Sequence, residues 1–211
     1  GASFDDVTLH RFLSAYRFNV GKARAALAEH AVWRRETLPV DAAYAAPELL
    51  RQRMYVQGRD VFGNPILVVR SAHFVPKAQR NLRCATAAAV QVLERCIAAM
   101  DGAGGVGHED GTGGGGSCGQ WLMMIDNYGA TAENIDGELL TSIAGLLKRH
   151  YPGRVHNLIV FPFSSRSTAF KLGWAALKRA LPRDAVARAT LLESSQRAEL
   201  LRYVDRANLP K

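Results

Sequence analysis

Cysteine is scarce in this 211-residue chain: Cys84, Cys96 and Cys118 are widely spaced and form no Cys-x-x-Cys pair. An odd, dispersed set excludes a disulfide framework and a zinc ribbon, so all three are expected as free thiols. Long apolar runs are missing as well. None approaches the ~20 residues that a membrane-crossing helix needs, and Gly1 to Asp6 lacks the basic-then-apolar order of a signal peptide. The expectation is a cytoplasmic protein, at most peripheral to membranes. Aromatic residues make up only 8% and are not interleaved with the basic ones, so stacking platforms for nucleic acid are not expected despite a net charge of +8. There is no Gly-x-Ser-x-Gly elbow, no Walker loop and no His-Glu-x-x-His, and the six histidines share no ligand spacing. The chain therefore reads as a non-enzyme with no catalytic residue, no metal site and no cofactor.

Acid is nearly missing from one window. From Lys148 to Arg188 there are nine Lys or Arg residues and a single acid, Asp184, while the rest of the chain balances to zero. The same 41 residues hold an apolar segment, Leu158 to Phe163, and a run from Thr168 to Leu181 with bulky groups at helical spacing. Phe170, Trp174, Leu177 and Leu181 fall at i, i+4, i+7 and i+11, and Lys171, Lys178 and Arg179 point elsewhere. A helix that meets an anionic lipid surface needs both properties, since each basic residue near it contributes ~1 kcal/mol and each buried methylene ~0.8 kcal/mol. Periodicity alone favours a crossover helix packed on a sheet, with the charges as a solvated face.

What is present gives an order of elements. Val7, Leu9, Phe12, Leu13 and Tyr16 recur at helical intervals, and Asn19 then caps a second helix with Ala23, Leu27, Ala31 and Trp33 on its apolar face, ending near Leu38-Pro39. Met54 to Gln57, a turn around Phe62-Gly63-Asn64-Pro65, and Ile66 to Arg70 read as a β-hairpin. A helix from Leu82 to Met100 buries Ala85, Ala89, Val92, Leu93, Cys96 and Met100. It runs into Asp101 to Gly119, which holds 10 of the 19 glycines and reads as a flexible insertion. Gly102 to Gly107 matches a dinucleotide fingerprint, but a helix precedes it and none follows, so no cofactor is expected. Three short apolar runs, Trp121 to Ile125, Leu158 to Phe161 and Ala189 to Leu192, alternate with helices over 135–150, 168–181 and 197–204 and predict a largely parallel sheet covered on both faces. The expected class is α/β behind an N-terminal helical hairpin.

Isolated chemical candidates are weak. His108, Glu109 and Asp110 lie in the glycine insertion, where nothing fixes coordination geometry. Ser164, Ser165 and Ser167 have no histidine placed as base, and Ser165 or Ser167 is expected as a helix cap. Asp126 ends a strand and is expected to accept backbone hydrogen bonds in the turn through Gly129.

Six ordered segments resemble the CRAL-TRIO lipid-binding family, over nearly all of the chain from Phe4 to Lys211. Leu9 to Leu13 with Arg17 to Val20, and Trp33 to Glu36, are similar to the family's N-terminal helices; Gly58 to Asp60 through Pro65 to Val68 to its first strands. Met124-Ile125-Asp126, His150-Tyr151-Pro152 with Arg154, Ser167 to Lys171, and Glu199 to Leu201 leading to Asn208-Leu209-Pro210 follow in order. The resemblance implies residues 4–39 as the helical region and 50–211 as the lipid-binding domain, with residues 101–119 as an insertion. It implies a sheet floor and helical walls around an apolar cavity for one lipid, closed by a gate over Phe170 to Leu181.

The residues implied for pocket and gate are Phe170, Trp174, Leu177, Leu181, Met123, Ile125, Val155, Leu158, Val160 and Phe163. Lys171, Lys178, Arg179 and Arg183 would hold the protein to anionic headgroups. For phosphatidylinositol, Arg34 and Arg188 match two of the family's headgroup positions, whereas Gly153 stands where an acid would be. Thr131 falls where members that bind phosphatidylcholine present hydroxyls. The implied ligand is a phospholipid or other hydrophobic small molecule, the implied partner an anionic membrane surface, and the implied state a monomer. A recruitment or scaffold module of a larger signalling protein, a carrier of a neutral isoprenoid, and a hydrolase are the competing readings.

Overall fold

The computed structural model describes residues 4–101, 119–134 and 136–209. Cys118, the His108 cluster and nearly all of the expected glycine insertion lie outside them. Two helices open the chain: α1 (Asp6–Ala15), capped by the Asp5 carboxylate accepting from Thr8 N at 2.7 Å, and α2 (Val20–Thr37), capped by Asn19 accepting from Lys22 N at 3.0 Å. The buried faces are narrower than the apolar pattern predicts. In α1 only Phe12 is buried, and Val7 and Leu9 are exposed. In α2 the inward positions are Ala23, Ala26 and His30, with Trp33 packed against the core, so the face is rotated from the expected Leu27 and Ala31. Small residues and a stacked imidazole let the helix approach closely where leucine would hold it off.

A third helix, α3 (Ala42–Leu49), was not legible as one, since Pro47 lies inside it. The hairpin β1 (Met54–Arg59) and β2 (Pro65–Arg70) turns through Asp60, whose carboxylate accepts from the backbone N–H of Phe62 at 2.9 Å and of Asn64 at 2.8 Å, with Gly63 at φ +83°. Then come α4 (Leu82–Asp101), β3 (Trp121–Asp126), α5 (Gly137–His150), β4 (Val155–Phe161), α6 (Thr168–Ala180), a short α7 (Arg183–Ala187) and β5 (Ala189–Leu191). The expected closing helix is a kinked 3₁₀ segment, Ser194–Arg202, in which Gln196 leaves helical geometry.

The sheet has the order β1-β2-β3-β4-β5, antiparallel between β1 and β2 and parallel elsewhere. Side-chain alternation divides the core. Leu67 and Val69 of β2 and Trp121, Met123 and Ile125 of β3 face α4 and α5; Ile66, Val68, Leu122 and Met124 face the C-terminal segment through Leu200 and Val204. A register shift after Trp121, which pairs with Val155 while Leu122 pairs with Asn157, inserts one residue in β4 and puts Val155, Leu158 and Val160 on the same side.

Candidate functional site

A cavity of about 80 Å³ lies on the α5 side of the sheet. Its floor is Val69 of β2, Met123 and Ile125 of β3 and Val160 of β4. One wall is α5, through Leu140, Ile143, Ala144 and Leu147 at i, i+3, i+4 and i+7; the other is α6, through Phe170, Trp174, Leu177 and, just past its end, Leu181. Phe163 closes the gap between β4 and α6, and Phe74 stands at the far side. The structure thus brings eight of the ten expected pocket residues to one hollow. Val155 and Leu158 are the exceptions. They share the face but pack into the core outside the lining, because the cavity opens toward the carboxyl ends of the strands and Val155 begins β4 opposite Trp121.

The local chemistry positions α6. Ser167 is its cap, accepting from Phe170 N at 3.4 Å. Leu177 and Leu181 are buried, whereas Phe170 and Trp174 are half-buried and Leu172 points to solvent. Helix α6 packs chiefly on α5. Lys171, Lys178, Arg179 and Arg183 are all exposed, and among the described residues none of them makes an ion pair.

The polar rim is satisfied internally. Ser71 Oγ donates to Asn127 Oδ1 at 2.6 Å, and Asn127 Nδ2 donates to the Pro162 carbonyl at 3.1 Å. Asn134 Nδ2 donates to the carbonyls of Ala72 and Phe74, while its oxygen accepts from Thr131 N at 2.7 Å and Thr131 Oγ1 at 3.1 Å. The Thr131 hydroxyl keeps its acceptor lone pairs. Asp126 plays the turn role expected of it: its carboxylate accepts from Tyr128 N at 2.9 Å and pairs with Arg70 at 3.5 Å, with Gly129 at φ +68°.

Arg34 and Arg188 do not join Thr131. Arg34 pairs with Glu94 of α4 at 3.4 Å, and Glu94 also accepts from Tyr151 Oη at 2.7 Å; burial, with the Glu94 carboxylate beside it, holds the Tyr151 phenol well above its ordinary range. Arg188 donates to the Val155 carbonyl at 2.8 Å and to Asp184 at 2.9 Å. Both stand toward the start of β4, at the opposite end of the sheet from Thr131. Neither lines the cavity.

Two kinds of lining residue were missed. The α5 stripe was readable as a helical face, but nothing local said that it stood across from α6. Phe74 and Val69 reach the cavity only through the fold of the hairpin.

With this geometry, the sequence profile of the CRAL/TRIO domain matches residues 51–211. The chain belongs to the CRAL/TRIO family. The domain is a lipid-binding one, and the first three helices precede the matched region. A solved structure described as "Crystal structure of Sfh5" is similar with a TM-score of 0.66 and 14% identity, over 89% of this chain and 64% of that one. At that identity the likeness speaks for the fold, and the CRAL/TRIO chain here spans under two thirds of the Sfh5 chain. No curated protein sequence matches. Among the described residues no helix is long and apolar enough to cross a membrane.

Proposed function

We propose that this CRAL/TRIO domain binds one lipid, a phospholipid such as phosphatidylinositol, in the cavity behind α6, and exchanges it with anionic membranes as α6 swings outward. The observation that carries this is the two-sidedness of α6, with Phe170, Trp174 and Leu177 on the cavity and unpaired Lys171, Lys178 and Arg179 on solvent. The volume requires movement. An apolar hole of about 150 Å³ takes benzene, so about 80 Å³ is a closed state with no room for a two-chain lipid. Swinging α6 into water would expose its aromatic face, whereas swinging it onto a bilayer buries that face and brings its cations to the headgroups. Arg34 and Arg188 supply the guanidinium groups for a phosphate, each exchanging a carboxylate partner for it.

The test is uptake from vesicles containing phosphatidylinositol or phosphatidylcholine, read by native mass spectrometry. Trp174→Asp lowers uptake of both lipids, and replacing Arg34 and Arg188 together by Gln lowers phosphatidylinositol alone. Unchanged uptake by a folded Trp174→Asp protein would remove α6 as the lid; an equal loss of both lipids in the arginine variant would refute headgroup recognition.

A further inference from the structure

Phe74 and Ile143 face the cavity on one side and a second hollow of about 20 Å³ on the other. The walls of this smaller space are apolar, from Met54, Ala88 and Leu139, but one end is charged. Glu48, in the last turn of α3, and Arg53, entering β1, each have side chains only 6% exposed. Arg53 Nη1 comes within 3.0 Å of Glu48 Oε2. The two charges meet without the alignment of a hydrogen bond: Glu48 Oε2 and all three guanidinium nitrogens of Arg53 are buried with no hydrogen-bond partner among the described residues. Gln52, at φ +49°, holds the backbone that turns Arg53 inward, a left-handed conformation that an ordinary residue adopts at a cost. The guanidinium carbon lies 5.8 Å from the centroid of Phe74, so the aromatic wall between the two hollows is also its neighbour.

Burying donors and acceptors of this kind carries a penalty, which a ligand group can relieve. The group must fit roughly one water volume, since a buried water needs ~10–15 Å³. It must accept from Arg53 and donate to Glu48 Oε2. A carboxylate or phosphate would accept from Arg53, but it is too large for the space and its ionised oxygens cannot donate to Glu48 Oε2. A hydroxyl meets both.

We infer that Arg53 and Glu48 form the polar end of the ligand chamber and receive a hydroxyl carried by the buried part of an amphiphile, whose apolar body occupies the cavity once Phe74 and Ile143 turn aside. This rests on the proposed lipid-binding cavity but not on its phospholipid example, since the acyl chains of phosphatidylinositol carry no hydroxyl; the ligand inferred here is hydroxylated on its apolar body. The hydroxyl is distinct from any headgroup held at Arg34 or Arg188.

The experiment uses the full chain and three probes, hexadecan-1-ol, its methyl ether and hexadecane, with binding read by native mass spectrometry and calorimetry. The alcohol is expected to bind about tenfold or more tighter than the ether, as befits hydrogen bonds to charged groups. The Arg53→Met and Glu48→Leu double variant replaces both partners by apolar groups of similar shape, which leaves folding nearly unaffected. It is expected to lose the preference for the alcohol over the ether. Equal binding of alcohol and ether by the unaltered protein means that water alone fills the hollow and overturns the inference, without recourse to any variant. A preference for the alcohol that survives in the double variant overturns it too. Failure of every probe to bind overturns the hydroxyl site, and only if phosphatidylinositol and phosphatidylcholine are also not taken up does it overturn the lipid cavity itself.

Discussion

Filling the cavity separates its role in folding from its role in binding. Ala144 is 1% exposed and lines the hollow from α5, so Ala144→Leu adds three carbons toward the void while keeping a strong helix former. An unfilled cavity costs about 24 cal/mol per Å³, which for about 80 Å³ sets a ceiling of about 2 kcal/mol on the gain. Three buried carbons at ~0.8 kcal/mol each give a similar figure, and fixing the leucine rotamer returns ~0.5–1 kcal/mol. The net expectation is about 1 kcal/mol of added stability, or roughly 2–4 °C in Tm for a chain of this length. Lipid uptake must fall at the same time, because the added carbons stand where a chain would lie. Thermal denaturation and native mass spectrometry after incubation with phospholipid vesicles read the two quantities on one sample. A raised Tm with undiminished uptake would show that lipid goes elsewhere and would refute the reasoning; a lowered Tm would show that the wall rejects the larger side chain.

Replacing Lys171, Lys178, Arg179 and Arg183 by Gln is expected to weaken attachment to anionic vesicles by about 4 kcal/mol, roughly a thousandfold at low salt, and to leave attachment to neutral vesicles unchanged. Co-sedimentation at two salt concentrations checks this, since screening shrinks the difference. The junction of α2 and α5 is predicted to be acid-sensitive. His30 Nδ1 and His150 Nδ1 lie 3.3 Å apart, with Trp33 stacked on His150 at 4.0 Å, and burial, helped by His150 beside His30 and by Arg149 beside His150, pushes both imidazoles down from about 6.5 to about 4. The unfolded imidazoles take up protons below about 6.5 and the folded ones only below about 4, so stability held above pH 6.5 is lost as pH falls between those values. For the buried His30 this amounts to about 3 kcal/mol, and half-buried His150 adds less. Urea unfolding at pH 7 and pH 4.5 measures the loss, and His30→Phe is expected to reduce it; an identical pH dependence in that variant would refute the assignment.

Much of the architecture was readable because its causes are local. Asn19 and Ser167 announce helix starts through a side chain three residues from the N–H it accepts, and continuous apolar runs mark β3 and β4 because a strand covered on both faces needs no alternation. The errors also have local causes. Pro47 hid α3, and Leu27 and Ala31 drew the inward face of α2 away from Ala26 and His30, since an apolar pattern does not reveal which side a neighbour approaches.

The sequence by itself determined the order of elements, the concentration of positive charge between Lys148 and Arg188, and the bulky stripe of α6 beside its cations, all properties of short stretches of chain. Only the tertiary structure decided that the stripe of α5 stands opposite that of α6 with a gap between them. It alone sent Arg34 and Arg188 to the end of the sheet away from Thr131, and buried Arg53 against Glu48 out of hydrogen-bond alignment. A void is the space left between side chains from distant segments, and its size depends on how all of them pack at once, so no single stretch of sequence records it.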